Sequence, residues 1–531
     1  MRVLASVILV LFAVVAAQAA WIQYFHASAL DASPLNPRNN VSNTKYQRGE
    51  ILASDGTVLA ESVPTSSAAN PWRRVYPQGQ LFSGVVGFSS SVYTQWGLEA
   101  QYNSDLTAHA QPAQSLEQVL APTEAADSVT LTLEPKLQRI AQLALLGRDG
   151  SVVAFDPKTG GVLAMYSNPT YNPTPFASTS TKVQEAAWKL GNTKDKEGFA
   201  PLGLLATHQT FFPGSTFKVI TTAGIVRYQP SLMNKYYAPM VYTALPDTKK
   251  LLYNDGDSSC GGTVLQMLPA SCDPGYALLG LALGAKDLTA EANAFGYNEI
   301  PPLDLPGVVA SFFPAESNLA ANPPFLAYSA IGQEDVSATA LENALVAAGV
   351  ANGGAIMTPH LMSYISAPDG AVLTRFKDSV WKDPLTKAQA ALIVPLMHDV
   401  VLNGTAEGVG FLPADDVAAK TGTAQVGNNL LNDTDDWMIA FAPATDPTVA
   451  VAVSVPYQSY SATGAVIAGP IMKCIIEGAL AIQRGLRPPP VVDGTCPGLM
   501  PDCRINFLVR KRIASVRVRV HVGPPDRASD T

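Results

Sequence analysis

Charge is scarce in this chain, and the motifs that organise cofactors are missing. Only 15% of the 531 residues are Asp, Glu, Lys or Arg, and the net charge is −8. A nucleic-acid partner needs a basic footprint, and the body of the chain offers none. The six histidines form no H-E-x-x-H pair, and no G-x-S-x-G elbow, Walker loop or dinucleotide glycine fingerprint occurs. A metallohydrolase and a histidine-assisted serine hydrolase both lose support. No metal or organic cofactor is expected. No internal repeat or heptad run stands out. What remains is 47% hydrophobic: a globular chain too long for one ordinary core, so two or more domains are expected.

Long apolar runs are confined to the start. Arg2 precedes an apolar stretch from Val3 to Ile22, interrupted only by Ser6 and Gln18. That is about the length that crosses a bilayer as one helix, with Trp21 and Tyr24 suited to the far interface. Ala17-Gln18-Ala19 also fits a small-x-small cleavage site, the mark of a removable signal. Either way the rest of the chain is exported. We expect residues 1–25 to be an uncleaved single-pass anchor in the cell membrane, with the remainder extracytoplasmic.

There are five cysteines. In an oxidising compartment Cys260 and Cys272 are plausible partners, as are Cys496 and Cys503. Cys474, in the apolar run IMKCIIEGAL, reads as a buried thiol.

After a polar, Pro/Asn-rich linker the chain is mixed, with strand-like SGVVGF and SVTLTLE; residues 26–147 read as linker and a first extracytoplasmic domain. Val152–Asp156 and Val162–Ser167, joined by Pro-Lys-Thr-Gly-Gly, give a hairpin signal. Far downstream come Val417–Gln425, Trp437–Ala442 and Val449–Pro456, then a helical segment from about Ala465 to Gln483. Helix-like stretches between include Ser215–Arg227 and Ala340–Ala351. The simplest architecture is α+β: an antiparallel sheet pairing the early hairpin with the late strands, covered by helices, with a helical insertion. Residues 487–531 form a basic tail in which SVRVRVHV alternates at period two; it fits a solvated extension or an added edge strand.

The chemistry gathers in three short motifs. Ser215-Thr216-Phe217-Lys218 follows Pro213-Gly214 and opens an apolar helix. Residues three apart share a helical face, so a lysine amine there can take a serine proton. Ser42/Lys45 and Ser379/Lys382 match the same pattern, one in the linker and one at an expected turn or helix start. Lys420-Thr421-Gly422-Thr423 sits on an expected edge strand, where the glycine lets a substrate backbone approach. Lys158-Thr159-Gly160 reads as hairpin turn chemistry. Between the first and last motif lies Ser271-Cys272-Asp273.

Ser-x-x-Lys, then Ser-x-Asn, then Lys-Thr-Gly is the ordered signature of penicillin-binding proteins and serine β-lactamases. RGEILASDGTVLAES, VVAFDPKTGGVLAMYSNPTYNP, FFPGSTFKVITTAG, AAKTGTAQ and DWMIAFAP resemble class B penicillin-binding proteins, and most of all the short actinobacterial subtype. The resemblance implies a transpeptidase domain over 148–486, a non-catalytic pedestal before it, and a D,D-transpeptidase acting on peptidoglycan stem peptides. It implies Ser215 as nucleophile, Lys218 as base helped by the nearby Lys420 amine, Ser271 as proton relay, and the Thr421 and Thr423 hydroxyls with the Lys420 charge holding the substrate carboxylate beside Gly422, with covalent capture of β-lactams and a membrane-embedded glycosyltransferase as partner. Two positions depart. Asp273 stands for the family's Asn, and an ionised Asp only accepts hydrogen bonds and favours a charged Lys218. Asp435-Asp436-Trp437 stands where a histidine often precedes Ala-Trp; a structural part for Asp435 is expected.

Overall fold

The computed structural model describes residues 2–25, 46–110, 124–426, 433–459 and 462–496. The first of these segments is one helix, Arg2–Phe25, whose side chains from Ile8 to Trp21 are exposed.

A five-stranded sheet organises the larger lobe. Its order is Val162–Asn168, Gly150–Phe155, Val449–Ser459, Asp433–Ala442, Ala418–Val426, and every pairing is antiparallel. Both faces are covered, so the strands read as continuous apolar runs. Val153, Phe155, Ile439 and Phe441 pack into a core shared with the Ala340–Ala351 helix. Val152, Ala154, Met438 and Val451 face the Pro135–Leu145 and Gly464–Gln483 helices. The Gly464–Gln483 helix is long and apolar enough to cross a membrane, which the sequence reading reserved for the N-terminus; here it is a core helix, mostly buried. The Lys218–Tyr228 helix is buried from Lys218 to Val226 and packs against the Asp273–Leu283, Ala285–Phe295 and Lys387–Leu402 helices. A helix apolar all round belongs at the centre of a helical subdomain.

The second sheet has six strands, ordered Val372–Arg375, Met362–Ser366, Ser128–Leu131, Ile51–Leu52, Val58–Pro64, Trp72–Val75. Two of its strands thus come from deep inside the larger lobe's stretch of chain. The Pro135–Leu145 helix, before residue 147, packs with the larger lobe. The linear boundaries read from the sequence do not foresee this exchange, because strand pairing across more than two hundred residues leaves no local trace. Beneath this sheet Glu99 is fully buried and bridges two guanidinium groups, Arg48 at 2.7 Å and Arg74 at 2.6 Å.

Three other expectations need correction. SGVVGF does not run as a strand: Ser83–Val86 is a helical turn and only Phe88–Ser90 is extended, the turn ending at Gly87 with φ +76°. Ser379–Lys382 opens no helix; Val380–Lys382 is a short strand paired with Ile356–Met357. Cys474 is not a free thiol. It is bonded to Cys496, with Cα atoms 5.3 Å apart, because the chain reverses at Gly485, φ +68°, and returns along the helix that carries Cys474. That removes the expected Cys496–Cys503 pair; Cys503, Ser42, Lys45 and most of the basic tail lie outside the described residues. The Cys260–Cys272 disulfide forms as expected.

Candidate active site

Ser215 lies in one 3-10 turn, Gly214–Phe217, that runs directly into the Lys218–Tyr228 helix. Gly214 adopts φ +51°, and a Cβ there would come within 2.8 Å of the Thr423 carbonyl. Only glycine permits this approach, which seats the serine turn against the Lys-Thr-Gly strand. Ser215 is 9% exposed and Lys218, one turn further in, is fully buried.

The Lys218 amine donates to the Ser271 carbonyl at 2.6 Å and to Asp273 Oδ1 at 2.7 Å, and stands 3.3 Å from Ser271 Oγ. Ser271 has φ +54°, a left-handed conformation that costs a non-glycine residue about 1–3 kcal/mol and is kept only where its surroundings enforce it. Here the surroundings are explicit. The Cys272 N–H donates to Met267 O at 2.9 Å, the Cys272 sulfur is tied to Cys260, and the Asp273 N–H donates to Asn254 Oδ1 at 2.9 Å.

Lys420 reaches the same serine from the edge of the five-stranded sheet. Its amine donates to Ser271 Oγ at 2.9 Å and to the Thr421 carbonyl at 2.9 Å. Ser271 Oγ is therefore the point where the two lysines meet. Thr421 Oγ1 shares a 2.6 Å hydrogen bond with Thr405, and Thr423 Oγ1 accepts from the Gly464 N–H at 3.0 Å. A Cβ on Gly422 would fall 2.7 Å from the Pro213 carbonyl and 2.8 Å from Thr216, so this glycine too is dictated by close approach. All eight sequence-predicted positions gather here. Lys158, in the other Lys-Thr-Gly, sits in the hairpin turn and pairs with Asp446 at 2.6 Å on the surface.

Burial dominates the electrostatics. It pushes the Lys218 amine below its ordinary value, against the opposing charges of Asp273 and Asp255. Lys420 is driven well below, by burial and by the charge of Lys218, with Asp273 opposing. Two buried amines side by side disfavour each other's protons. Both shifts favour the neutral form of these amines, that of Lys420 more than that of Lys218.

The sequence reading missed Asn254 and Thr405, which fix Asp273 and Thr421. Neither lies in a motif, and each reaches the site only through tertiary packing. Gly332 was missed as well; the Gly214 N–H donates to its carbonyl at 3.0 Å.

A family profile described as the penicillin binding protein transpeptidase domain covers residues 150–477, and one described as the penicillin binding protein A dimerisation domain covers 48–127. The chain belongs to the class B penicillin-binding proteins. Within them it is 36% identical, over 90% of its length and 98% of the relative's, to the peptidoglycan D,D-transpeptidase PbpA of Mycolicibacterium smegmatis. It is 33% identical to the protein of that name from Mycobacterium tuberculosis, over 90% and 98% of the two chains. A solved structure of M. tuberculosis penicillin-binding protein A as a ceftriaxone acyl-enzyme superposes with TM-score 0.74 at 32% identity, covering 84% of this chain and 100% of that one.

Proposed function

We propose that this protein is a serine-type peptidoglycan D,D-transpeptidase working through an acyl-enzyme. The observation that carries the reading is the convergence of Lys218, one helical turn from Ser215, and of Lys420 on Ser271 Oγ. Ser215 attacks the carbonyl of the penultimate D-alanine of a stem peptide. Neutral Lys218 takes the hydroxyl proton, and Ser271 passes a proton to the departing D-alanine amine. Backbone N–H groups of Ser215 and Thr423 hold the oxyanion, a contribution of about 3 kcal/mol per donor in acyl transfer. Thr421 and Thr423 hydroxyls and the Lys420 amine, whose proton a bound carboxylate favours, hold the substrate's terminal carboxylate, Gly422 admits its backbone, and Asp273 lines the same cleft. The amine of a second stem peptide then attacks the ester and releases Ser215. β-Lactams acylate Ser215 and stall.

The apolar Arg2–Phe25 helix serves as a single-pass anchor, and the two disulfides suit an oxidising, extracytoplasmic compartment. The domain reading is anchor 1–25, linker and pedestal 26–147, transpeptidase 148–486 and basic tail 487–531. The glycan strands come from a membrane-embedded glycosyltransferase, proposed as partner. One observation favours a second reading, a weakly catalytic scaffold: Asp273 holds Lys218 in an ion pair. Intact-protein mass spectrometry after penicillin treatment decides. An adduct mapped to Ser215 and lost in Ser215→Ala supports the enzyme; no adduct on the folded protein overturns it.

A further inference from the structure

The strand next to the lysine-bearing edge, Asp433–Ala442, carries two adjacent carboxyl groups, with Asp435 opposite Ala424 and Asp436 opposite Thr423. Asp435 is buried, and each of its oxygens has a backbone partner. Oδ2 accepts from the Phe212 N–H at 3.1 Å and Oδ1 from the Tyr457 N–H at 3.3 Å. Two residues along, on the same face of the strand, the Trp437 indole N–H donates to the Phe212 carbonyl at 2.9 Å. One strand thus grips both polar backbone atoms of Phe212. Only Pro213, with its fixed φ, and Gly214, pinned to Gly332 and against Thr423, separate Phe212 from Ser215. The other end of the clamp is equally constrained: Tyr457 has φ +54°, and its ring stacks on Phe199 with centroids 5.5 Å apart.

We propose that Asp435 is a positioning residue for Ser215: its carboxylate, together with the Trp437 indole, fixes the Phe212 backbone and so sets where the serine turn begins. The proposal rests on the reading of Ser215 as nucleophile. A carboxylate here has a consequence that an amide would lack. Ionised, it accepts from both N–H groups; protonated, one oxygen becomes a donor facing a donor. Burial pushes this carboxyl up to about 7, and Asp433 adds to the rise, against the two N–H bonds. The titratable neighbours are Asp433 and Asp436 on its own strand and the Tyr457 phenol on the next. Ala424 on the edge strand and Phe211, Phe212 and Pro213 on the approach to Ser215 carry no charge. The clamp therefore tightens as pH rises through about 7.

The experiment is the concentration and pH dependence of acylation by a labelled penicillin, using the full chain in detergent, for wild type, Asp435→Asn and Trp437→Phe. Asp435→Asn is expected to lower the acylation rate constant about ten- to a hundredfold, the scale of misplacing a reacting group. The non-covalent dissociation constant should stay unchanged and the acid limb near pH 7 should disappear. Trp437→Phe should slow acylation and keep that limb. A wild-type rate and limb in Asp435→Asn, or losses in both variants that only follow the folded fraction, overturn the clamp. A wild type unlabelled at Ser215 overturns the nucleophile reading and the clamp with it, whereas a labelled wild type with an indifferent Asp435→Asn sinks the clamp alone.

Discussion

Lys218 and Asp273 form an ion pair of 2.7 Å, with the lysine side chain fully buried and the carboxylate partly open. Burial lowers the amine's pKa and Asp273 opposes the fall. Removing the negative charge lets the amine lose its proton more easily. Asp273→Asn should therefore move the Lys218 limb of the acylation profile to lower pH. The pH dependence of penicillin acylation measures it, and an unmoved limb would show that Asp273 does not govern the amine.

The Cys260–Cys272 bond sits inside the Ser271-Cys272-Asp273 motif. It helps hold Ser271 in its left-handed conformation, so cutting it should disturb the point where both lysines meet. A disulfide of this kind commonly contributes about 2–4 kcal/mol. Cys260→Ser, or mild reductant on the wild type, should lower the melting temperature and slow acylation, and reoxidation should restore the wild type. Labelling with a fluorescent penicillin before and after reduction reads the outcome.

Glu342, in the first turn of the Ala340–Ala351 helix, is fully buried, and neither carboxylate oxygen has a hydrogen-bond partner among the described residues. Burial pushes it up to about 8 from 4.5. The folded state therefore holds a proton that the unfolded state has lost between those values, and stability falls as pH rises through that window. Glu342→Gln, which cannot ionise, should flatten this dependence, so that its stability changes less between pH 5 and pH 8 than the wild type's. Urea melts at pH 5 and pH 8 compare the two proteins.

Glu99 shows the opposite sign. Burial pushes its carboxyl up, but Arg74 and Arg48 together hold it below its ordinary value. Glu99→Ala leaves two guanidinium groups buried without their counter-charge, and breaking such a cluster costs about 3–5 kcal/mol. Calorimetry of the variant should show an earlier unfolding transition; an unchanged one would mean the cluster contributes little.

The strands of the five-stranded sheet were legible because both faces are apolar, and their ends moved by only a few residues. Ala340–Ala351 emerged with the ends read from its composition. The three motifs were legible because each needs a fixed local spacing: serine and lysine one turn apart, glycine where a backbone must pass. What stayed hidden depends on the chain returning to itself. Asn254 beneath Asp273, Thr405 on Thr421, Cys496 beside Cys474 and Asp435 on Phe212 are all contacts between segments far apart in sequence. The nature of those residues says nothing about which partner they meet.

The six-stranded sheet draws on residues 51–75, 128–131 and 362–375. Met362–Ser366 pairs antiparallel with Ser128–Leu131, so the two lobes share one hydrogen-bonded sheet. Cutting the gene after the first lobe would strip the Met362–Ser366 and Val372–Arg375 pair from one product and leave it as one orphaned two-stranded ribbon in the other.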